Sequence, residues 1–224
     1  MRILLALLLA GCSVGTAGQS FLGARYISSP LGEGVAPDDD PLIRYDAFDC
    51  TTFVETVLAD GDLKKLNKIR YKNGEIDFLN RNHFIESDWL MNNADLVQNV
   101  SNKYGKTSVR NVRIDKTSWL KKVHNIDAEY DVIDVDLEYL PYTNVKTINV
   151  NKVMIVLFVA DKPKNRDIIG TDLAVYHMGL LLPNGVFRHA SSTKKMVTDV
   201  EFNEYIVKQK QNKSNLGFVL VEIK

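Results

Sequence analysis

Arg44-Tyr45-Asp46-Ala47-Phe48-Asp49-Cys50-Thr51-Thr52-Phe53-Val54-Glu55 reads as the entry to a buried helix. Asp49 suits the N-cap, because its carboxylate can accept unpaired N–H groups of the first turn. Phe53, Val54, Val57 and Leu58 recur at helical spacing, and Gly61 is placed to end the run. Cys50 is then the first helical residue. A thiol there feels the positive end of the helix dipole, which favours the nucleophilic thiolate. A free cysteine is more often a small buried hydrophobe, so this placement alone does not decide between chemistry and packing.

A second stretch tips the balance. Tyr176-His177-Met178-Gly179-Leu180 and Phe187-Arg188-His189-Ala190-Ser191 are strand-like runs joined by the turn Pro183-Asn184-Gly185. A cysteine at a helix start with downstream strand histidines is the pattern of a nucleophile and its base. Cys50 supplies the thiol, His177 the proton shuttle and His189 the group that orients His177. The Cys50 backbone N–H is a natural oxyanion donor. Side chains alternate along a strand, so the turn decides whether the histidines meet. A two-residue Asn-Gly turn sets them on opposite faces. A three-residue loop pairs Leu182 with Val186 and makes His177 the diagonal neighbour of His189 on one face. Pro, Asn and Gly fit the three-residue loop, with Gly185 in the left-handed position, and Gly179 opposite His189 leaves room for an imidazole.

The rest of the chain supports one α+β domain over residues 21–224. Asp62 to Arg70 reads as a second, basic helix. Tyr71 to Phe78 carries a hairpin-like turn signal, and Glu86 to Asp95 reads as a short helix. Val153 to Ala160 is a continuous apolar run fit for a central strand, and Gly217 to Ile223 is a final strand. Helices first and strands later argue for an antiparallel sheet with the Cys50 helix packed on it. Phe21 to Arg44, rich in Gly, Pro and Asp, is a long loop leading to Cys50, the kind that is usually functional.

The 224 residues carry 28 Lys+Arg and 28 Asp+Glu, so no net charge points to nucleic acid. Arg2 followed by the apolar run Ile3 to Ala10 is a targeting segment too short to span a bilayer. Leu9-Ala10-Gly11-Cys12 resembles a bacterial lipobox, which implies a signal peptide over 1–11, acylation of Cys12 and a tether over 12–20. An ordinary secretory signal cut near Gly18 is the alternative. Ser13 in place of Asp implies the periplasmic face of the outer membrane if the source is diderm. An acylated Cys12 leaves Cys50 as a free thiol. Two Cys and four His show no zinc spacing, and neither metal nor cofactor is expected. Asp38-Asp39-Asp40 lacks the spacing of a calcium loop.

Phe48-Asp49-Cys50-Thr51, His177-Met178-Gly179-Leu180 and His189-Ala190-Ser191 resemble the motifs of NlpC/P60 cell-wall peptidases, with 189 − 177 = 12 a separation typical of them. Leu31-Gly32-Glu33-Gly34, Asp49 to Glu55, Arg81-Asn82-His83-Phe84 and Trp89 resemble in particular the DUF1460 branch, the AmiA-like N-acetylmuramoyl-L-alanine amidases. The resemblance covers nearly all of the mature chain and implies a papain-like fold. It implies a monomer that cleaves the sugar–peptide amide of peptidoglycan fragments. A γ-D-glutamyl or D,L-endopeptidase and a non-catalytic wall-binding lipoprotein are the alternatives. It also implies Tyr26 as an oxyanion donor, although Arg25 stands where the superfamily has Pro, with Tyr45 as the fallback. Arg81, His83 and Trp89 are candidates for a substrate groove. Trp89 as core and Arg81 as a structural ion pair are equally open, and His124 reads as a surface residue.

Overall fold

The computed structural model describes residues 18–145 and 147–224. The signal segment and Cys12 lie outside the described residues. Among the described residues ten strands form one sheet: β1 (Arg25–Tyr26), β2 (Ala47–Phe48), β3 (Val97–Asn99), β4 (Ser108–Ile114), β5 (Ile133–Pro141), β6 (Met154–Ala160), β7 (Val175–Leu181), β8 (Val186–Ser191), β9 (Met196–Glu201) and β10 (Asn215–Ile223). The order is β2-β1-β9-β8-β7-β6-β10-β5-β4, with β3 also paired to β10. Every pairing is antiparallel except β1 with β2. The architecture is therefore mixed α+β with a large, mostly antiparallel sheet.

Both faces of this sheet are covered, which is why its central strands read as unbroken apolar runs rather than alternating ones. All seven residues of β6 are buried. Ile155, Leu157 and Val159 point to one face, with Val219 and Val221 of β10. Helix α1 (Cys50–Ala59) packs there through Phe53, Val54 and Val57. Met154, Val156 and Phe158 point to the other face, with Phe218 and Leu220. A late helix covers that side through Phe202 and Ile206.

The helices differ in detail from the expectations. Helix α2 (Leu63–Arg70) forms as read, capped by Asp62. Tyr71 to Phe78 is not a hairpin. It holds a 3-10 turn over Lys72–Gly74, and Tyr71 makes an isolated bridge to Arg81. Glu86 to Asp95 divides into a π-turn (Ile85–Trp89) and a short α3 (Leu90–Asn92). Among the described residues, three further α-helices are α4 (Lys116–Trp119), α5 (Asn165–Ile169) and α6 (Phe202–Gln209).

The long loop before Cys50 is pinned by basic and phenolic side chains. Arg70 donates to the carbonyls of Leu31 (3.1 Å) and Leu42 (3.4 Å), and the Tyr71 hydroxyl donates to that of Gly32 (3.1 Å). Beneath it Glu55 is buried on α1. Its Oε2 lies 3.4 Å from Arg70, and its Oε1 accepts the Trp89 indole N–H at 3.0 Å. Burial pushes the Glu55 carboxyl up to about 7, and the Arg70 charge opposes that rise. Removing one partner of a buried pair strands the other, so Arg70→Met should cost about 3–5 kcal/mol. Adding Glu55→Gln should recover much of that loss, as read by urea unfolding of the two variants.

Candidate active site

Cys50 stands at the first position of α1, and its cap is complete. The Asp49 carboxylate accepts the Thr52 N–H at 2.8 Å, and the Thr52 hydroxyl accepts the Asp49 N–H at 3.0 Å. Such a cap contributes about 1 kcal/mol and fixes the direction of the first helical residue. The second Asp49 oxygen accepts the Ser29 N–H at 3.1 Å, which draws the long loop over the helix start.

The hairpin of β7 and β8 has the three-residue loop. Leu182 N–H donates to Val186 at 2.8 Å, and Gly185 takes the left-handed φ of 80°. The ladder continues to Leu180 opposite Arg188 and then stops. In that register Met178 is the next residue whose N–H points at β8. It does not continue the ladder; that N–H meets the Cys50 thiol instead. The thiol thus enters where the two strands part, against the residue that follows His177.

Across the same opening His177 Nε2 lies 2.7 Å from His189 Nδ1. The rings share a face, as the three-residue loop requires, and meet nearly edge to face with centroids 4.8 Å apart. Phe187 stacks on His189 at 4.7 Å and 22°. Gly179 makes this possible in a way the sequence reading did not foresee. A Cβ there would lie 2.6 Å from the Phe187 ring, so the glycine makes room for the aromatic support of His189 rather than for the imidazole.

Burial holds the pair uncharged: His177 is lowered to about 3 and His189 to about 4. The charge on one ring also opposes charge on the other. For His177 to accept a proton at Nδ1, its Nε2 must carry hydrogen and donate to His189 Nδ1. The thiol departs from the local expectation. Burial, then the neighbouring Asp49 charge, raise Cys50 to about 11, against the lowering by the Met178 N–H. The helix dipole is outweighed, and the resting pair is thiol and neutral imidazole.

The remaining candidates divide. Tyr26 on β1 is half-buried beside the site, its hydroxyl raised by burial and then by the Cys50 and Asp49 charges. Tyr45 is exposed and stacks on Phe21 at 6.1 Å. Trp89 is fully buried core, donating to Glu55, so the groove reading fails for it. Arg81 is already occupied: its Nε and Nη2 donate to the Glu33 carboxylate at 2.8 and 2.5 Å, and Asp38 lies 2.9 Å away. Its role is to tie the long loop down, not to offer a free cation. The His83 Nε2 lies 2.7 Å from the Phe78 carbonyl, and the ring packs against Trp119 at 4.7 Å. Burial lowers His83 to about 3. His83, Arg81 and Asn82 do line a small cavity of about 210 Å³ that also takes in Asp49 and Thr51.

Tyr205 is the residue the sequence reading missed. It projects from α6 against His189 (5.2 Å) and His177 (6.3 Å), and its hydroxyl is raised by burial, then by the Tyr176 and Cys50 charges. Phe202, Tyr205 and Ile206 at helical spacing were the available signal.

A family model described as N-acetylmuramoyl-L-alanine amidase-like, the AmiA-like family, matches residues 16–214, and the chain belongs to this family. Among solved structures, a DUF1460 protein from Legionella pneumophila is similar with a TM-score of 0.84 at 24% identity, over 94% of this chain and 87% of that one. An N-acetylmuramoyl-L-alanine amidase from Bacteroides uniformis gives 0.72 at 23% identity, over 96% and 100%. A Bacteroides fragilis protein named as a candidate xylanase gives 0.70 at 23% identity, over 93% and 100%. These likenesses show the fold. No curated protein matches the chain.

The thiol's environment is directly testable. In a Cys12→Ser background, iodoacetamide alkylation of Cys50 should accelerate roughly tenfold per pH unit from pH 7 towards 10, because thiolate accumulates only as pH approaches the raised value. A rate that is flat above pH 5 indicates a depressed thiol and contradicts the burial argument.

Proposed function

We propose that the protein is a cysteine-dependent N-acetylmuramoyl-L-alanine amidase that cleaves the sugar–peptide amide of peptidoglycan fragments. Membership of the AmiA-like family supports a cell-wall amidase. The observation that carries the cysteine mechanism is the meeting of Cys50 with the Met178 N–H beside the His177–His189 bond. We read this placement as the papain-like arrangement of NlpC/P60 peptidases.

In this reading His177 Nδ1 takes the thiol proton as sulfur attacks the lactyl carbonyl. His177 becomes an imidazolium whose Nε2–H still donates to His189, so His189 holds the ring and spreads its charge. The tetrahedral oxygen is met by the Cys50 N–H and the Tyr26 hydroxyl. His177 then protonates the departing amine, leaving a thioester on Cys50. Water, deprotonated by the same imidazole, releases the sugar acid and restores the thiol. A thiol held near 11 suits this sequence, since the proton moves during attack rather than before it.

Cys50→Ala and His177→Ala should abolish release of stem peptide from purified muropeptides, and His189→Ala should lower kcat by roughly 10²–10⁴-fold. Mass spectrometry of the products separates the bonds. Free lactyl-muramic sugar with an intact L-Ala peptide is the expected result. Cleavage within the stem peptide supports the endopeptidase instead, and an active Cys50→Ala ends the mechanism.

We further propose a lipid anchor on Cys12 and a place on the bacterial envelope, supported by Leu9-Ala10-Gly11-Cys12 at the end of the apolar run. Cys12→Ser should move the protein from the membrane fraction to the soluble one while activity on soluble fragments persists. Unchanged detergent partitioning contradicts the anchor.

A further inference from the structure

The cavity beside the histidine pair has a composition that the reaction above does not use. It measures about 430 Å³ and is lined by His177, His189, Tyr205 and Gln209 together with Lys194 and Lys208. Hydroxyls of Ser191, Ser192 and Thr193 complete that side, and no Asp or Glu lines it. Among the described residues neither Lys194 nor Lys208 has an acidic partner within ion-pair distance, and the neighbouring Asp199 is bound by Arg188 at 2.7 and 2.8 Å. Two uncompensated cations therefore face one space. After burial, the Lys194 ammonium is the next influence that disfavours charge on His189, and the Arg188-bound Asp199 opposes it.

Both lysines are held by ordered backbone. Lys194 N–H donates to the Ser191 hydroxyl at 3.1 Å, and the next carbonyl, of Lys195, accepts the Tyr26 N–H at 2.9 Å. The β8–β9 loop is thus tied both to the hairpin and to the strand of Tyr26. Lys208 and Gln209 stand three and four residues after Tyr205 on α6, which places all three on one face of the helix.

We infer that this cavity is the leaving-group subsite and that Lys194 and Lys208 read a carboxylate of the departing stem peptide. The inference rests on the amidase reading. A general acid must lie beside the amine it protonates, so the leaving group sits on the His177 side and the acyl group on the Cys50 side. The chemistry of the two halves then fixes the match. The lactyl carboxyl of the sugar is consumed in the scissile amide, so that half presents no anion there. The peptide half carries free carboxylates. A cation-lined, acid-free cavity on the histidine side complements the peptide.

The test reads binding rather than turnover. Cys50→Ala protein is titrated by calorimetry with the tripeptide L-alanyl-γ-D-glutamyl-diaminopimelate and with the same tripeptide fully amidated. The free acid should bind about tenfold more tightly, as expected for a charge-assisted contact. Adding Lys194→Gln and Lys208→Gln should bring the free acid to the level of the amide and leave the amide unchanged. Equal binding of acid and amide by the Cys50→Ala protein overturns the inference, as does undiminished binding of the acid after both lysine changes. A chain that prefers the acid through these lysines yet cleaves no muropeptide supports the subsite and rejects the amidase reading, so the two failures are distinguishable.

Discussion

Beyond Leu180 and Arg188 the two hairpin strands separate, and the Met178 N–H that would continue the ladder lies against the Cys50 sulfur. Much of the site follows from that departure. An orphaned strand donor is costly unless something accepts from it, and the thiol at the start of α1 is what arrives. The parting also leaves the space in which His177 and His189 approach to 2.7 Å. The covered sheet behind them explains why the histidines stay neutral: Phe158, Phe187 and Tyr205 surround the rings, and charge is disfavoured among them.

Asp49 serves two ends that pull against each other. Its carboxylate secures the helix start and the incoming loop, yet its negative charge adjoins the thiol and, with burial, keeps it protonated. The helix dipole, worth at most a kcal/mol or two, does not overcome both. The outcome is a thiol that is quiet at rest, and in the proposed reaction it depends on a neutral base. Low thiolate character also slows oxidation of a free cysteine.

The features legible in the sequence were those set by local rules. The Asp49 cap, the register of the Pro183-Asn184-Gly185 loop and the apolar run of β6 each follow from residues within a few positions of one another. What was not legible depended on distant partners. Trp89 sits among Glu86, Asp88 and Asn92, which leaves core and groove equally open; the N–H partner that decides for core, Glu55, lies 34 positions upstream. For Arg81 a substrate contact and a structural ion pair stay equally open in the sequence, because its partner Glu33 lies 48 positions away. Helix α6 lacks a Ser, Thr, Asn or Asp cap. Glu201 caps it through the Glu204 N–H at 2.5 Å, so its start, and with it Tyr205, was hidden. The direction of the thiol shift was missed for the same reason: the dipole is local, whereas the burial comes from a hairpin more than a hundred positions later.

The covalent role proposed for Cys50 is tested most directly by intact-mass spectrometry of the protein quenched in acid during turnover of a purified muropeptide. The expected result is an adduct on Cys50 with the mass of the muramyl acyl group, absent from Cys50→Ala. Turnover with no adduct at any quench time, together with cleavage by Cys50→Ala, contradicts nucleophilic catalysis by this thiol.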